Sequence, residues 1–228
     1  MSSSVSPVVS VTRRDAVLSE LRSAILEGRL KPGDRIREVQ MSKELGVSRP
    51  TLREALYQLI HEGLLIQEVY KGITVAGMDA AAIEDIAVVR VALETIAAES
   101  IAKDPDPAAR AALMRAWEAF DAAAASGDAG RENEAHVELH KTIWMASGNT
   151  MLCRMWPIVA PSINLALTTD QATRDDAERR RRLHRELVDV IVKGPRRAIK
   201  ATVRDHIMTS ARELVDMLRQ EEARAQPK

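Results

Sequence analysis

The sequence predicts a mainly α-helical chain in two parts, a small N-terminal winged helix-turn-helix unit and a larger all-helical C-terminal bundle. Three observations carry this. Hydrophobic residues make up 46% of the 228 residues but aromatic ones only 3%, a balance rich in alanine, leucine and arginine that favours packed helices over a β-sandwich. Apolar residues recur at helical spacing along most of the chain. The period turns strand-like over one short stretch only, between Gly63 and Gly77.

The elements follow in order. Residues 1–11, opening MSSSVSPVVS, read as a flexible polar tail, with no charged region leading into an apolar one as a secretory signal requires. A first helix is expected over about 13–27, with Val17, Leu18, Leu21 and Ile25 on one face, ended by Gly28 and the turn Lys31-Pro32-Gly33-Asp34. A short helix at about 39–45 stops at Gly46. Ser48 is a good N-cap for a helix over about 49–62, where Pro50 falls in the tolerant first turn. Residues 64–69 and 73–75, around Tyr70-Lys71-Gly72, read as a β-hairpin. The domains are therefore the tail at 1–11, the winged unit at 12–77 and the helical unit at 78–228. In the latter, helices are expected near 79–103, 107–126, 131–147, 150–169, 173–193 and 196–224. Asp79 is an N-cap candidate, and a polar stretch at Thr168–Asp170 is read as a break.

Charge excludes little, since 33 basic residues balance 33 acidic ones. Residues 1–77 carry 11 Lys/Arg against 9 Asp/Glu, a small positive excess of the sign that suits DNA at the N-terminal end. The lone Cys153 rules out an internal disulfide and fits a reducing cytoplasm. No apolar run approaches the roughly 20 residues that span a bilayer.

The segment from Gly46 to Leu56 has the chemistry of a major-groove reader. The N-terminal residues of such a helix meet base edges. Val47, Leu52, Leu56 and Leu59 can pack inward, while Arg49 and Arg53, four apart, share the outer face. Arginine can grip guanine bidentately. The Ser48 and Thr51 hydroxyls suit phosphate oxygens. In the hairpin, Gly72 permits a tight turn and Lys71 can reach backbone or minor groove. Arg35 and Arg37 are further phosphate candidates.

Four of the five histidines lie in the helical unit. His136 and His140 leave one helix face as an i,i+4 pair, and His184 and His206 sit on two later helices that antiparallel packing can bring to the same level. Neutral imidazoles suit zinc, nickel or cobalt. The bland alternative, four ordinary boundary histidines, stays open on spacing alone.

Two stretches resemble known families. The run LRSAILEGRLKPGDRIREVQMSKELGVSRPTLREALYQLIHEGLL, followed by KGITV, is similar to the N-terminal domain of GntR-family regulators over about residues 12–76. This resemblance implies that Arg49 and Arg53 contact operator bases and that Thr51 and Gly72 approach DNA. Residues 80–220 resemble the FCD effector domain of the FadR branch. The markers are Val89-Arg90-Val91-Ala92-Leu93-Glu94, Glu138-Leu139-His140 leading to Ser147-Gly148-Asn149, Leu183-His184 and Asp205-His206-Ile207. It implies metal ligation by His140, His184 and His206, with His136 where relatives commonly carry aspartate. A divalent metal is thus expected, zinc favoured and nickel next. The resemblance also implies a homodimer on a palindromic operator and a small organic acid as effector. Arg90 is a candidate for the acid's carboxylate, with an internal Arg90–Glu94 ion pair as the alternative. Asn149 is placed at the pocket, as lining or cap.

An enzyme is not expected. There is no H-E-x-x-H arrangement, and Glu138, two residues on from His136, points off the histidine face. The expected function is a DNA-binding transcription regulator, a repressor by preference, whose helical domain binds metal and a carboxylate effector. The alternatives are a regulator to which the ion itself is the signal, and a purely structural metal.

Overall fold

The computed structural model describes residues 12–225 apart from 70, 71, 105 and 175, and no side chain beyond 220. The tail at 1–11 and Lys71 lie outside the described residues.

The head consists of α1 (Arg13–Leu26), α2 (Glu38–Glu44), α3 (Arg49–His61), β1 (Leu65–Glu68) and β2 (Gly72–Val75). Helix α1 begins at Thr12, whose hydroxyl accepts the Asp15 amide. Helix α3 begins at Ser48, whose hydroxyl accepts the amide of Thr51. Each cap satisfies an amide that the first turn leaves unpaired. The strands pair antiparallel with Leu65 opposite Val75. That register buries Leu65, Ile73 and Val75 against Leu52, Leu56 and Leu59 of α3, in one core with Val17, Leu21 and Ile25 of α1. The segment before α2 adds a third line to the wing. The Ile36 amide donates to the Ile73 carbonyl at 2.8 Å, and the Val75 amide to that of Asp34 at 2.9 Å. The sequence reading treats this stretch only as a turn.

The bundle consists of α4 (Ala80–Lys103), α5 (Pro107–Ala125), α6 (Ala129–Ala146), α7 (Thr150–Arg174), α8 (Ala177–Lys193) and α9 (Arg196–Ala225). Asp79, Asp106, Asp128 and Asp176 accept first-turn amides of α4, α5, α6 and α8. Helix α4 lies along α9, and α5 packs on α6 and α8. Their shared core holds Phe120 and Trp144, both fully buried, with Trp144 edge-on to Trp156 at 5.4 Å between ring centroids.

One expected break is absent. Helix α7 runs through Thr168–Asp170 to Arg174. The polar residues there find partners inside the bundle instead of in solvent. Thr168 accepts from Asn133 at 3.1 Å, Gln171 donates to the Ala129 carbonyl at 3.0 Å, and Asp170 pairs with Arg174 on the next turn. Satisfied polar side chains cost a buried helix little. Helix α7 also holds Pro157 and Pro161 in its interior, where each removes an amide from the helix ladder.

Head and bundle meet around the end of α3. Arg22 of α1, buried, bonds the Glu62 carboxylate at 3.0 and 3.1 Å and also pairs with Glu134 of α6. Asn164 of α7 donates to the Glu62 carbonyl at 3.0 Å. Gly63, at φ +79°, lies so close to α7 that a Cβ there would stand 2.8 Å from the Pro161 carbonyl oxygen. Leu165 of α7 packs onto the core of the head.

Candidate metal centre and nucleic-acid interface

Helix α6 presents His136 and His140 one turn apart, and α8 presents His184 between them. His136 Nε2 is 2.8 Å from His184 Nε2, which is 3.2 Å from His140 Nε2. One nitrogen from each of these three buried rings lies within 4.8 Å of the others. The half-buried His206 of α9 closes the group, its ring centroid 4.5 Å from that of His184 and 5.7 Å from that of His140. Phe120 forms a wall, 5.2 Å from His136 and 5.0 Å from His184 between centroids. The packing thus brings all four expected histidines to one level of the bundle, with three of them within reach of a common ion.

Hydrogen-bond partners fix the tautomers. The Arg180 carbonyl can only accept, so His184 carries its proton on Nδ1 and donates across 2.7 Å. The Glu94 carboxylate lies 3.0 Å from His140 Nδ1. Burial opposes its charge, but Arg90 and His140 beside it hold its pKa down at about 2. It is therefore ionised and accepts the Nδ1 proton. Both His140 and His184 are left with a lone pair on Nε2, aimed at the other rings. A partner on the remote nitrogen that sets the tautomer is the usual support of a metal-bound imidazole. Burial first, and neighbouring charges second, push His136, His184 and His206 well below the ordinary imidazole value. They are neutral at pH 7, the form that ligates metal. Nδ1 of His136 and Nδ1 of His206 are enclosed without a hydrogen-bond partner among the described residues. This donor set fits a borderline dication such as zinc.

A cavity opens beside the rings. Its walls include His136, His184 and His206, the apolar Ile83 and Leu167, and the charged Arg90, Asp170, Arg179 and Arg180. Arg90 is engaged: Nε donates to Glu94 at 2.8 Å, and Nη2 lies 3.2 Å from both ring nitrogens of His140. Asn149 is not among the residues that line the cavity. Its Oδ1 accepts the Met151 and Leu152 amides at 3.0 and 3.3 Å, so it caps the start of α7. A residue directly after Ser-Gly at a helix boundary meets the cap requirement before any pocket requirement. Sequence reasoning missed Glu132 and Arg180 as neighbours of the site, and missed Glu94 as the group that orients His140. A carboxylate four residues after Arg90 signals an ion pair, but nothing in the sequence links it to a histidine 46 residues later.

In the head, Arg49 is exposed in the first turn of α3 and Arg53 is half exposed on the same face. The Arg53 Nε donates to Glu38 of α2 at 2.6 Å, a partner the sequence did not reveal. Arg35, Arg37, Arg49 and Gly72 line one open cleft between α2, α3 and the wing. Gly72 adopts φ +85°, and a Cβ there would stand 3.5 Å from Arg35 Nη2. The Ser48 and Thr51 hydroxyls are 2.8 Å apart at the helix start. These cations and hydroxyls on the N-terminal turn of an exposed helix match the chemistry of phosphate and base contact.

Comparison with known proteins bears on both halves. The family described as "FCD domain" matches residues 85–209, and "Bacterial regulatory proteins, gntR family" matches residues 13–75. An uncharacterized HTH-type transcriptional regulator of Mycobacterium tuberculosis is 34% identical over 73 residues, 32% of this chain and 30% of that protein. The chain thus spans less than a third of that relative's length in the match. The "Probable D-xylose utilization operon transcriptional repressor" of Paenarthrobacter nicotinovorans is 27% identical over 85% of this chain and 87% of its own. Among solved structures, a GntR transcriptional regulator from Rhodococcus sp. RHA1 is similar with TM-score 0.67 and 21% identity over 90% of this chain and 98% of its own. E. coli McbR/YncC is similar with TM-score 0.64 and 19% identity over 92% and 100%. Likeness at that identity concerns the fold. The relatives named are transcription regulators.

Proposed function

Because the chain belongs to the FCD-domain family and carries a gntR-family domain ahead of it, we propose that it is a transcription regulator whose head binds operator DNA and whose bundle binds a divalent metal and a small carboxylate effector. Zinc is the favoured ion and nickel the next. The protein acts as a homodimer on a palindromic operator, with half-sites about one DNA turn apart, as a repressor whose operator binding the effector modulates. In the head, Arg49 and Arg53 read bases, Ser48, Thr51 and Arg37 hold phosphates, and Lys71 and Gly72 bring the wing to the duplex. In the bundle, His136, His140 and His184 hold the ion, with His206 as a further ligand. The Nε2 lone pairs of His140 and His184, each presented by a fixed partner on Nδ1, are the observation that carries the metal reading. Arg90, locked by Glu94 and His140, serves to position the ligand His140 and does not receive the effector directly.

Elemental analysis of the purified protein, with operator affinity followed by fluorescence anisotropy with zinc, with a chelator and with small acids, tests the proposal. One zinc per chain and an acid-dependent change in operator affinity are expected. An affinity that follows metal alone would favour the ion as the signal. Metal that raises the melting temperature while no acid alters DNA binding would leave the ion a structural part.

A further inference from the structure

The charges around the cavity cancel within the protein. Arg90 pairs with Glu94, Arg180 with Glu132, Arg174 with Asp170, and Arg179 with Glu213. Imidazoles that ligate a metal do so in their neutral form. A dication seated on them would add two positive charges to a buried site whose described side chains hold no anion in excess, and a buried net charge is costly unless a counter-charge comes with it. A buried guanidinium donor of the cavity wall is also left over. Arg180, 2% exposed, gives Nε to Glu132 at 2.6 Å, while its Nη1 is enclosed with no partner among the described residues. Arg180 lines the same cavity as His136, His184 and His206. An enclosed guanidinium nitrogen without an acceptor is expensive, and a ligand carboxylate would satisfy it.

Resting on the metal reading above, we propose that the cavity selects a compact dicarboxylate over a monocarboxylate, with one carboxylate at the imidazole-held cation and the other on Arg180 Nη1. The ligand's two negative charges match the ion's two positive ones, and its far end meets a buried guanidinium in the cavity wall, one of whose nitrogens has no partner among the described residues. Arg180 then determines specificity, and it does so without ligating the metal. Its backbone carbonyl holds His184 Nδ1, so a change of its side chain leaves that support in place.

The test uses the full-length, zinc-loaded protein and calorimetric titration with straight-chain dicarboxylates from malonate to glutarate, against monocarboxylates of equal carbon number. At least one dicarboxylate is expected to bind about ten- to a hundredfold tighter than its monocarboxylate counterpart, the worth of one charge-assisted contact. Arg180→Gln should abolish that preference. The paired variant R180Q/E132Q, which leaves no unmatched charge, should behave the same and guards against misfolding of the single variant. Equal affinity for both acid classes in the wild type, or a preference that survives in R180Q/E132Q, would overturn the inference. A wild type that retains no zinc would overturn the metal reading itself, and the dianion requirement with it.

Discussion

Glu94 shows how much of the centre depends on groups that touch no ion. It accepts from Arg90 and from His140 Nδ1 while fully buried. Glu94→Gln replaces an ionised acceptor by a weaker one. Loss of such an outer partner typically costs about 10- to 100-fold in metal affinity, which competition with a chromophoric chelator would read directly. Titration of the histidines sets a pH dependence of stability. His136, His184 and His206 have folded pKa values well below 6.5, whereas the unfolded chain takes up protons near 6.5. The unfolded state therefore binds more protons below that pH. Stability is fully present above about 6.5 and is lost as pH falls. Glu94, depressed from 4.5 to about 2, adds a further loss below about 4.5 of the same sign. The melting temperature of the metal-free protein should decline steadily from pH 7 to pH 5. His206→Gln should soften that decline, and an unchanged slope would count against the burial of that imidazole. The pair His136 and His140 was legible in the sequence because helical geometry alone sets their spacing. The orienting roles of Glu94 and the Arg180 carbonyl were not, because they arise only when α4, α6 and α8 pack.

Among the elements, the caps and the recognition helix follow most directly from local chemistry. Ser48 sits where an N-cap is needed, and Ser48→Ala should lower stability by about 1 kcal/mol, measurable by urea unfolding. Helix α7 marks the opposite limit. Its residues 168–170 look like a break because three polar side chains stand together, yet Asn133 of α6 gives Thr168 a partner, and Leu165 and Arg174 of α7 itself pair with Thr169 and Asp170. Hydrophobic period cannot register a polar group satisfied by a neighbouring helix. Helix α1 holds a similar surprise in Arg22, one of its buried residues. Removing it leaves the Glu62 carboxylate with Gln58 as its remaining partner among the described residues and frees Glu134. Arg22→Ala should cost about 1.5–3 kcal/mol, the range for charged hydrogen bonds, and should split the thermal transition so that the head melts first. A single transition at the wild-type temperature would show that the ion triad contributes nothing to the coupling.

At the scale of the whole molecule, the described residues form two hydrophobic cores, one in the head and one in the bundle. Composition and periodicity predicted both, since each is built mainly from neighbouring elements with apolar faces, helices in the bundle and helices with a hairpin in the head. The junction between them was not predicted, because it rests on single residues from distant parts of the sequence. Glu134, which bonds Arg22, lies two positions before His136 on α6. Helix α6 thus joins the imidazole cluster to the ion triad at the end of the recognition helix. A displacement of α6 on ligand binding has a physical route to the DNA-facing surface. In the Arg22→Ala protein, operator affinity should stop responding to ligand while ligand binding itself persists, which anisotropy and calorimetry on one sample would separate.

Gly63 adds a constraint of another kind. Its left-handed backbone and its approach to Pro161 leave no room for even a methyl group. The distance from head to bundle is therefore gauged by a missing atom. Gly63→Ala would act as a shim between the two halves, prying them apart by a fraction of an ångström without removing any ligand or any DNA contact.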